Sequence, residues 1–167
     1  MPTNPSHNSL NIFVLDKDPQ YAAEYHCDKH IPKMIVETGQ LLSAAHHLHN
    51  SKNCASMYKL THKGHPCTKW TADSTANYEW LYQLFTGLSH QFLLRRGKQH
   101  KSWVTLKNLL KDSPSIDCTV PTPFAQAMPD DYKHTDPVVA YRTYYIKDKT
   151  FATWTWPNSR KPYWYTV

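Results

Sequence analysis

Apolar residues first gather in Asn11–Leu15 (NIFVL), a run short enough to be either a buried strand or the entry to a helix. Asp18-Pro19 then joins an N-cap residue to a proline at the first helical position, which predicts a short helix over Pro19–His26. From Asp28 to about His49, the residues Ile31, Met34, Ile35, Leu41, Leu42 and Ala45 recur at helical spacing and make one apolar face. At about 100° per residue, His26, Lys29, His30, Lys33, Glu37 and Gln40 fall on the opposite side. Pro32 lacks a backbone N–H and is tolerated only in a first turn, so this helix is expected to begin at Asp28 or later.

Residues 50–68 read as a polar loop closed by THKGHPC. A long helix is expected from near Ala72 to Arg96, with Tyr78, Leu81, Phe85, Leu88 and Phe92 facing the core and Gly97 as its stop. Trp103, Leu106, Leu109 and Leu110 mark a further helix, and residues 112–135, with four prolines, read mostly as loop. Asp136-Pro137 repeats the helix-start signal, followed by Val138, Tyr141 and Tyr145 on one face. The tail WTWPNSRKPYWYTV sets three Trp and two Tyr among Arg160 and Lys161. The expected architecture is a disordered Pro/Asn/Ser-rich arm over residues 1–10. A single all-α domain over 11–167 follows it, with a short N-terminal strand as the one open alternative.

The composition agrees with one globular domain: 167 residues, 40% of them hydrophobic and only 19% charged. Four glycines exclude a Gly-rich phosphate loop. No run of 18 apolar residues occurs and the N-terminus is not of signal-peptide type, so neither a membrane partner nor export is expected. Cys27, Cys54, Cys67 and Cys118 form no CxxC pair, which suits reduced thiols in a cytoplasm.

Charge changes the picture more. The net charge is +6, and Arg95, Arg96, Lys98, Lys101, Lys107 and Lys111 lie in one acid-free stretch of 17 residues. Such a cluster suits a polyanion, most simply nucleic acid, although a solvated helix face has the same appearance. The turn Arg95-Arg96-Gly97-Lys98-Gln99-His100-Lys101 reads as a phosphate grip. The tail aromatics offer surfaces on which unstacked bases can lie, or alternatively a lid over the core.

The stripe His26, Asp28, Lys29, His30, Lys33 and Glu37 is the candidate catalytic set, since it mixes acid–base groups with amines able to attack or to hold an anion. Its plain alternative is the solvent side of an amphipathic helix. His26, Cys27 and His30, or His62, His65 and Cys67, or His46, His47 and His49, are possible zinc ligands. No tightly paired signature accompanies them, so neither metal nor cofactor is expected. His46, His47 and His49 read instead as the fraying end of a helix.

The segments DKDPQYAAEYHCDKHIPKMIVETGQLLSAAHH, HPCTKW, NYEWLY, RRGKQHKSW, FAQAMPDDY and DPVVAYRTYY resemble a family of small phage-encoded proteins over most of the chain. That resemblance implies a location in a host cytoplasm. Asp18–Cys27, Lys63-Gly64-His65, Arg95-Arg96-Gly97 and the aromatic basic tail are also similar to the pyrimidine-dimer DNA glycosylase/AP lyase family, which has a compact all-α fold. In that family the nucleophile is an α-amine immediately before the first structured segment, whereas here a ten-residue arm intervenes. The family's catalytic Glu also has no match at the aligned position. Lys33 stands near it, with Glu37 one turn later. The resemblance therefore implies the fold more directly than the reaction.

Together these readings lead to a DNA-processing enzyme acting on a damaged, modified or extruded base. Lys29 or Lys33 would attack the sugar or hold phosphate, Glu37 or Asp28 would stabilise positive charge, and His26 or His30 would protonate the leaving base or activate water. His65, Arg95, Arg96, Lys98, His100, Lys101, Arg142, Arg160, Lys161 and Trp164 are the expected nucleic-acid contacts. A non-catalytic nucleic-acid or host-protein binding module and a metal-dependent hydrolase are the alternatives.

Overall fold

The computed structural model describes residues 10–148 and 154–166. Within them lie α1 (Pro19–Tyr25), α2 (His30–Leu48), α3 (Pro66–Asp73), α4 (Thr75–Arg96), α5 (Lys101–Leu110) and α6 (Pro137–Lys147). Single 3-10 turns occur at Cys54–Ser56, Asp130–Tyr132 and Pro157–Ser159. The fold is all-α, and no strand occurs among the described residues. Most of the expected arm, residues 1–9, lies outside the described residues, but Leu10 at its end is buried rather than disordered.

Five of the helices start on a side chain that accepts a backbone N–H of the first turn. Asp18 serves α1, His65 serves α3, Ser74 serves α4, His100 serves α5 and Asp136 serves α6. Ser74 corrects the expectation of one helix from Ala72 to Arg96. Its extended backbone (φ −153°, ψ 154°) breaks the helical path, and its hydroxyl restarts it by accepting from Asn77 N–H at 3.0 Å. The loop before it is shorter than expected, because α3 already begins at Pro66. In α2, Pro32 sits in the first turn, where its missing N–H costs nothing. Gly97 ends α4 at φ 72°, a left-handed conformation that favours glycine.

Helix α4 is the axis of the molecule. Helix α2 runs antiparallel to it, since His46 bonds Tyr78 (2.7 Å) at one end and Asp28, just before α2, bonds Arg95 (3.2 Å) at the other. Helix α5 returns along it, with the Tyr78 and Tyr82 hydroxyls donating to the carbonyls of Leu110 (2.6 Å) and Lys107 (2.8 Å). His46, His47 and His49 are therefore not a fraying end. His46 is buried between Ser51 and Tyr78, while His47 and His49 bond the carbonyls of Tyr58 and Ala72.

The NIFVL run is buried but is no strand. Without a partner strand its polar groups need other partners, and side chains supply them. The Asn11 carboxamide accepts Ile12 N–H and the Tyr141 hydroxyl and donates to Ala127 O, while Arg142 donates to Leu15 O.

Helix α1 crosses α4 at Gly87, where an added Cβ would lie 2.9 Å from Ala23 Cβ and 3.1 Å from Gln20 Oε1. Gly87→Ala is expected to lower unfolding stability by about 1–2 kcal/mol, because the overpacking outweighs the gain in helix propensity. Urea denaturation checks this, and an unchanged or raised midpoint would show that α1 yields at no cost.

Candidate functional site

Helix α1 has only seven residues, and its last carbonyls, buried at Ala22 and exposed at Glu24, are met by side chains rather than by a further helical turn. Each needs a donor. The His26 backbone N–H reaches Ala23 O, and its ring Nδ1–H donates to Ala22 O at 2.6 Å. Arg95 donates from Nη2 to Glu24 O (2.9 Å) and from Nη1 to His26 O (2.7 Å), with Asp28 Oδ1 3.2 Å from the same Nη1. The indole of Trp156 donates to Tyr25 O (2.8 Å). Asp28 then ties the C-terminal segment down, its N–H donating to Thr155 O and its Oδ2 accepting the Thr155 hydroxyl.

This arrangement divides the polar stripe at the α1–α2 corner. His26, His30 and Glu37 are buried, Asp28 is half-buried in its ion pair, and only Lys29 and Lys33 are exposed. The stripe is thus not the solvent side of one amphipathic helix. His26 packs against Phe13, because it precedes α2 and belongs to the corner rather than to the helix.

Beneath the corner is an aromatic cluster. The Tyr145 hydroxyl accepts Cys27 N–H (2.9 Å) and lies 3.3 Å from His30 Nδ1. Phe13 meets the rings of His26, His30 and Tyr145, and Trp154 lies over His30 (centroids 5.7 Å) and Tyr145 (4.4 Å). Burial pushes the Cys27 thiol and the Tyr145 hydroxyl up from their usual ranges, so both stay protonated at neutral pH. Burial pushes Cys67 up to about 12, with a smaller contribution from the Glu37 charge. For His26 the shift is opposite: burial takes its pKa down to about 4, and the Ala22 bond offsets only part of it. With Nδ1–H fixed on Ala22 O, its Nε2 carries a lone pair, and this buried atom has no partner.

The expected nucleic-acid contacts also divide. Arg95, with a side chain only 7% exposed, is an internal tie rather than a phosphate grip. Arg142 is held by Leu15 O, Asp16 and the Tyr163 hydroxyl, with the rings of Tyr25, Tyr163 and Trp164 within 5.7 Å. Trp164 is buried against Tyr25 and Tyr145, and His65 and His100 are N-caps. Arg96, Lys98, Lys101, Arg160 and Lys161 are exposed. Of these, Arg96, Lys98 and Lys101 form no ion pair among the described residues, and Arg96 rests over Phe92 (5.7 Å).

Tyr145, Phe13 and Trp154 were not among the sequence candidates. The available signal was α6 itself, where Tyr141, Tyr144 and Tyr145 must bury hydroxyls that need partners. Among the described residues, no three His, Cys, Asp or Glu side chains gather as a set able to hold a metal ion. No helix of the described residues is long and apolar enough to cross a membrane. An open hollow lined by Phe124, Gln126, Lys133, His134 and Thr135 is formed by the loop before α6, with the Gln126 amide bonded to the His134 backbone.

His26 has a folded pKa (about 4) below its unfolded value (6.5), so the unfolded state binds more protons between the two. Its contribution is complete above about pH 6.5 and is lost as pH falls towards 4, by about 3 kcal/mol if the site stays dry. Burial lowers His46, His65 and His100 in the same direction. Urea unfolding between pH 7.5 and 4.5 is expected to show this loss, with a shallower slope in His26→Gln. Equal slopes in the two proteins would contradict the assignment.

With this geometry in view, comparison of the chain with protein-family models, curated proteins and solved structures finds no match.

Proposed function

We propose that this protein binds nucleic acid, in the first place DNA, through the cationic corner where the α4–α5 turn meets the start of α2. The observation that carries this reading is the state of the cations there. Arg96, Lys98 and Lys101 stand exposed on an acid-free turn without an ion pair among the described residues, and Lys33 is exposed likewise. Arg95 anchors that turn to the α1–α2 corner, so the cations sit on a fixed frame rather than on a loose loop. Fixed, unpaired cations suit phosphates, whose neutralisation releases counterions.

A second reading adds catalysis, as in a glycosylase or AP lyase acting on an extruded base. It is favoured by the exposed Lys33, which stands one helical turn before the buried Glu37. In that scheme the Lys33 nitrogen bonds to the sugar C1′ as the bond to the base breaks. The base leaves with a proton, and the C1′–O4′ bond then opens, the nitrogen passing a proton to O4′ as the imine forms. Borohydride trapping on an abasic duplex tests it. A covalent adduct mapped to Lys33 is expected, and an adduct that persists in Lys33→Ala would remove this residue from the role.

Binding of a labelled duplex is expected to weaken steeply with salt. In the triple variant Arg96→Ala/Lys98→Ala/Lys101→Ala, the slope of log K against log salt should fall in magnitude by about three, one for each phosphate that a missing cation leaves unneutralised. A wild-type slope in the triple variant would remove the corner as the binding surface.

A further inference from the structure

We propose that the recess under Trp154 is a slot for a planar heteroaromatic ring, with a nucleobase as the ligand class, and that Trp154 fills it as an internal plug. The choice of nucleobase rests on the nucleic-acid reading above; the slot itself rests on geometry.

Trp154 lies nearly parallel to the His30 ring (29°, centroids 5.7 Å) and against Tyr145 (4.4 Å). That is the environment in which a protein stacks an unpaired base. Trp154 itself is only half-buried, whereas His26, Cys27, His30 and Tyr145 beneath it are buried. It also stacks on Tyr165 (26°, centroids 6.5 Å), and its departure uncovers the slot.

Two polar atoms near Tyr145 are buried without partners: the acceptor His26 Nε2 and the donor Trp164 Nε1. Their rings lie 6.3 Å and 6.0 Å from the Tyr145 ring. Orphaned buried polar groups are rare and each is costly. An indole plug offers one donor and no acceptor, whereas a base edge offers both, which is what an orphaned acceptor and an orphaned donor require.

The segment that carries the plug is fastened immediately beside it. Thr155 fastens it to Asp28 at two points, and Trp156 fastens it to Tyr25 O. Just beyond, Asn158 and Ser159 are both left-handed at φ 56°, a conformation that stores strain in residues other than glycine. The fastening is local, and the Asp28 that accepts it is also the partner of Arg95 at the cationic corner. Phosphates held at that corner place a strand next to the latch of the slot.

The test uses the full chain and free deoxynucleosides, which carry no phosphate and so do not depend on the cationic corner. In Trp154→Ala the melting temperature is expected to fall. A deoxynucleoside at ten times its Kd should then raise it by about 4 °C, more than it raises the wild type. Toluene, which fills an apolar void but has no polar edge, should raise it less, and adding His26→Phe should abolish the difference between the two ligands. Equal responses to nucleoside and toluene, or no response beyond that of the wild type, would overturn the proposal. If Trp154→Ala does not fold, Thr155→Val releases one fastening without emptying the slot. It should bind the nucleoside several-fold tighter than the wild type, and an unchanged affinity would overturn the proposal equally. Loss of salt-sensitive duplex binding alone counts against the cationic corner and leaves the slot standing.

Discussion

A helix of seven residues ends with no further turn to take up its last carbonyls, and the guanidinium of Arg95 donates to two carbonyls at this end, the part-buried one of His26 and the exposed one of Glu24. Because Arg95 lies at the far end of α4, the same bonds lock the longest helix to the α1–α2 corner. The rest of the region follows from this tie. Asp28 neutralises the guanidinium and is thereby placed to hold Thr155, and Trp156 completes the set of donors at Tyr25 O. Charge-assisted bonds are stronger than neutral ones, at about 1.5–3 kcal/mol each when buried, and contribute less where water competes, as at Glu24 O.

That tie also sorts the basic residues by role. Arg95 and Arg142 are consumed by carbonyls, carboxylates and rings within the chain. Arg96, the immediate neighbour of Arg95, points outward with Lys98 and Lys101. One residue's difference in helix phase separates a structural arginine from one free to meet a phosphate. The proposed binding surface and the bond that holds it in place are therefore adjacent in sequence but opposite in role.

Much of the fold was legible because the signals were local. Asp18-Pro19, Asp136-Pro137 and Gly97 each act through the chemistry of one or two residues, and the structure uses all of them as expected. The break at Ser74 was less visible, because Ala72 and Tyr78 continue an acceptable apolar pattern across it. The site was harder to read. Helical periodicity grouped His26, Lys29, His30, Lys33 and Glu37 on one face, but which flanks of α2 are covered depends on the NIFVL segment and the C-terminal segment, both distant in sequence. His30 lies under them, against Phe13 and Trp154, and Glu37 is buried as well, whereas Lys29 and Lys33 are exposed. In the same way, nothing around Arg95 and Arg96 tells them apart until α1 is seen to end against one of them.

The most direct test of this account compares Arg95→Met with Arg96→Met for unfolding stability and duplex affinity in parallel. The account predicts that Arg95→Met loses about 2 kcal/mol of stability, because it leaves the carbonyls of Glu24 and His26 without a protein donor and Asp28 with Thr155 alone. It predicts that Arg96→Met keeps wild-type stability and loses affinity with a shallower salt dependence. Wild-type stability in Arg95→Met, together with the same loss of DNA binding as in Arg96→Met, would contradict it.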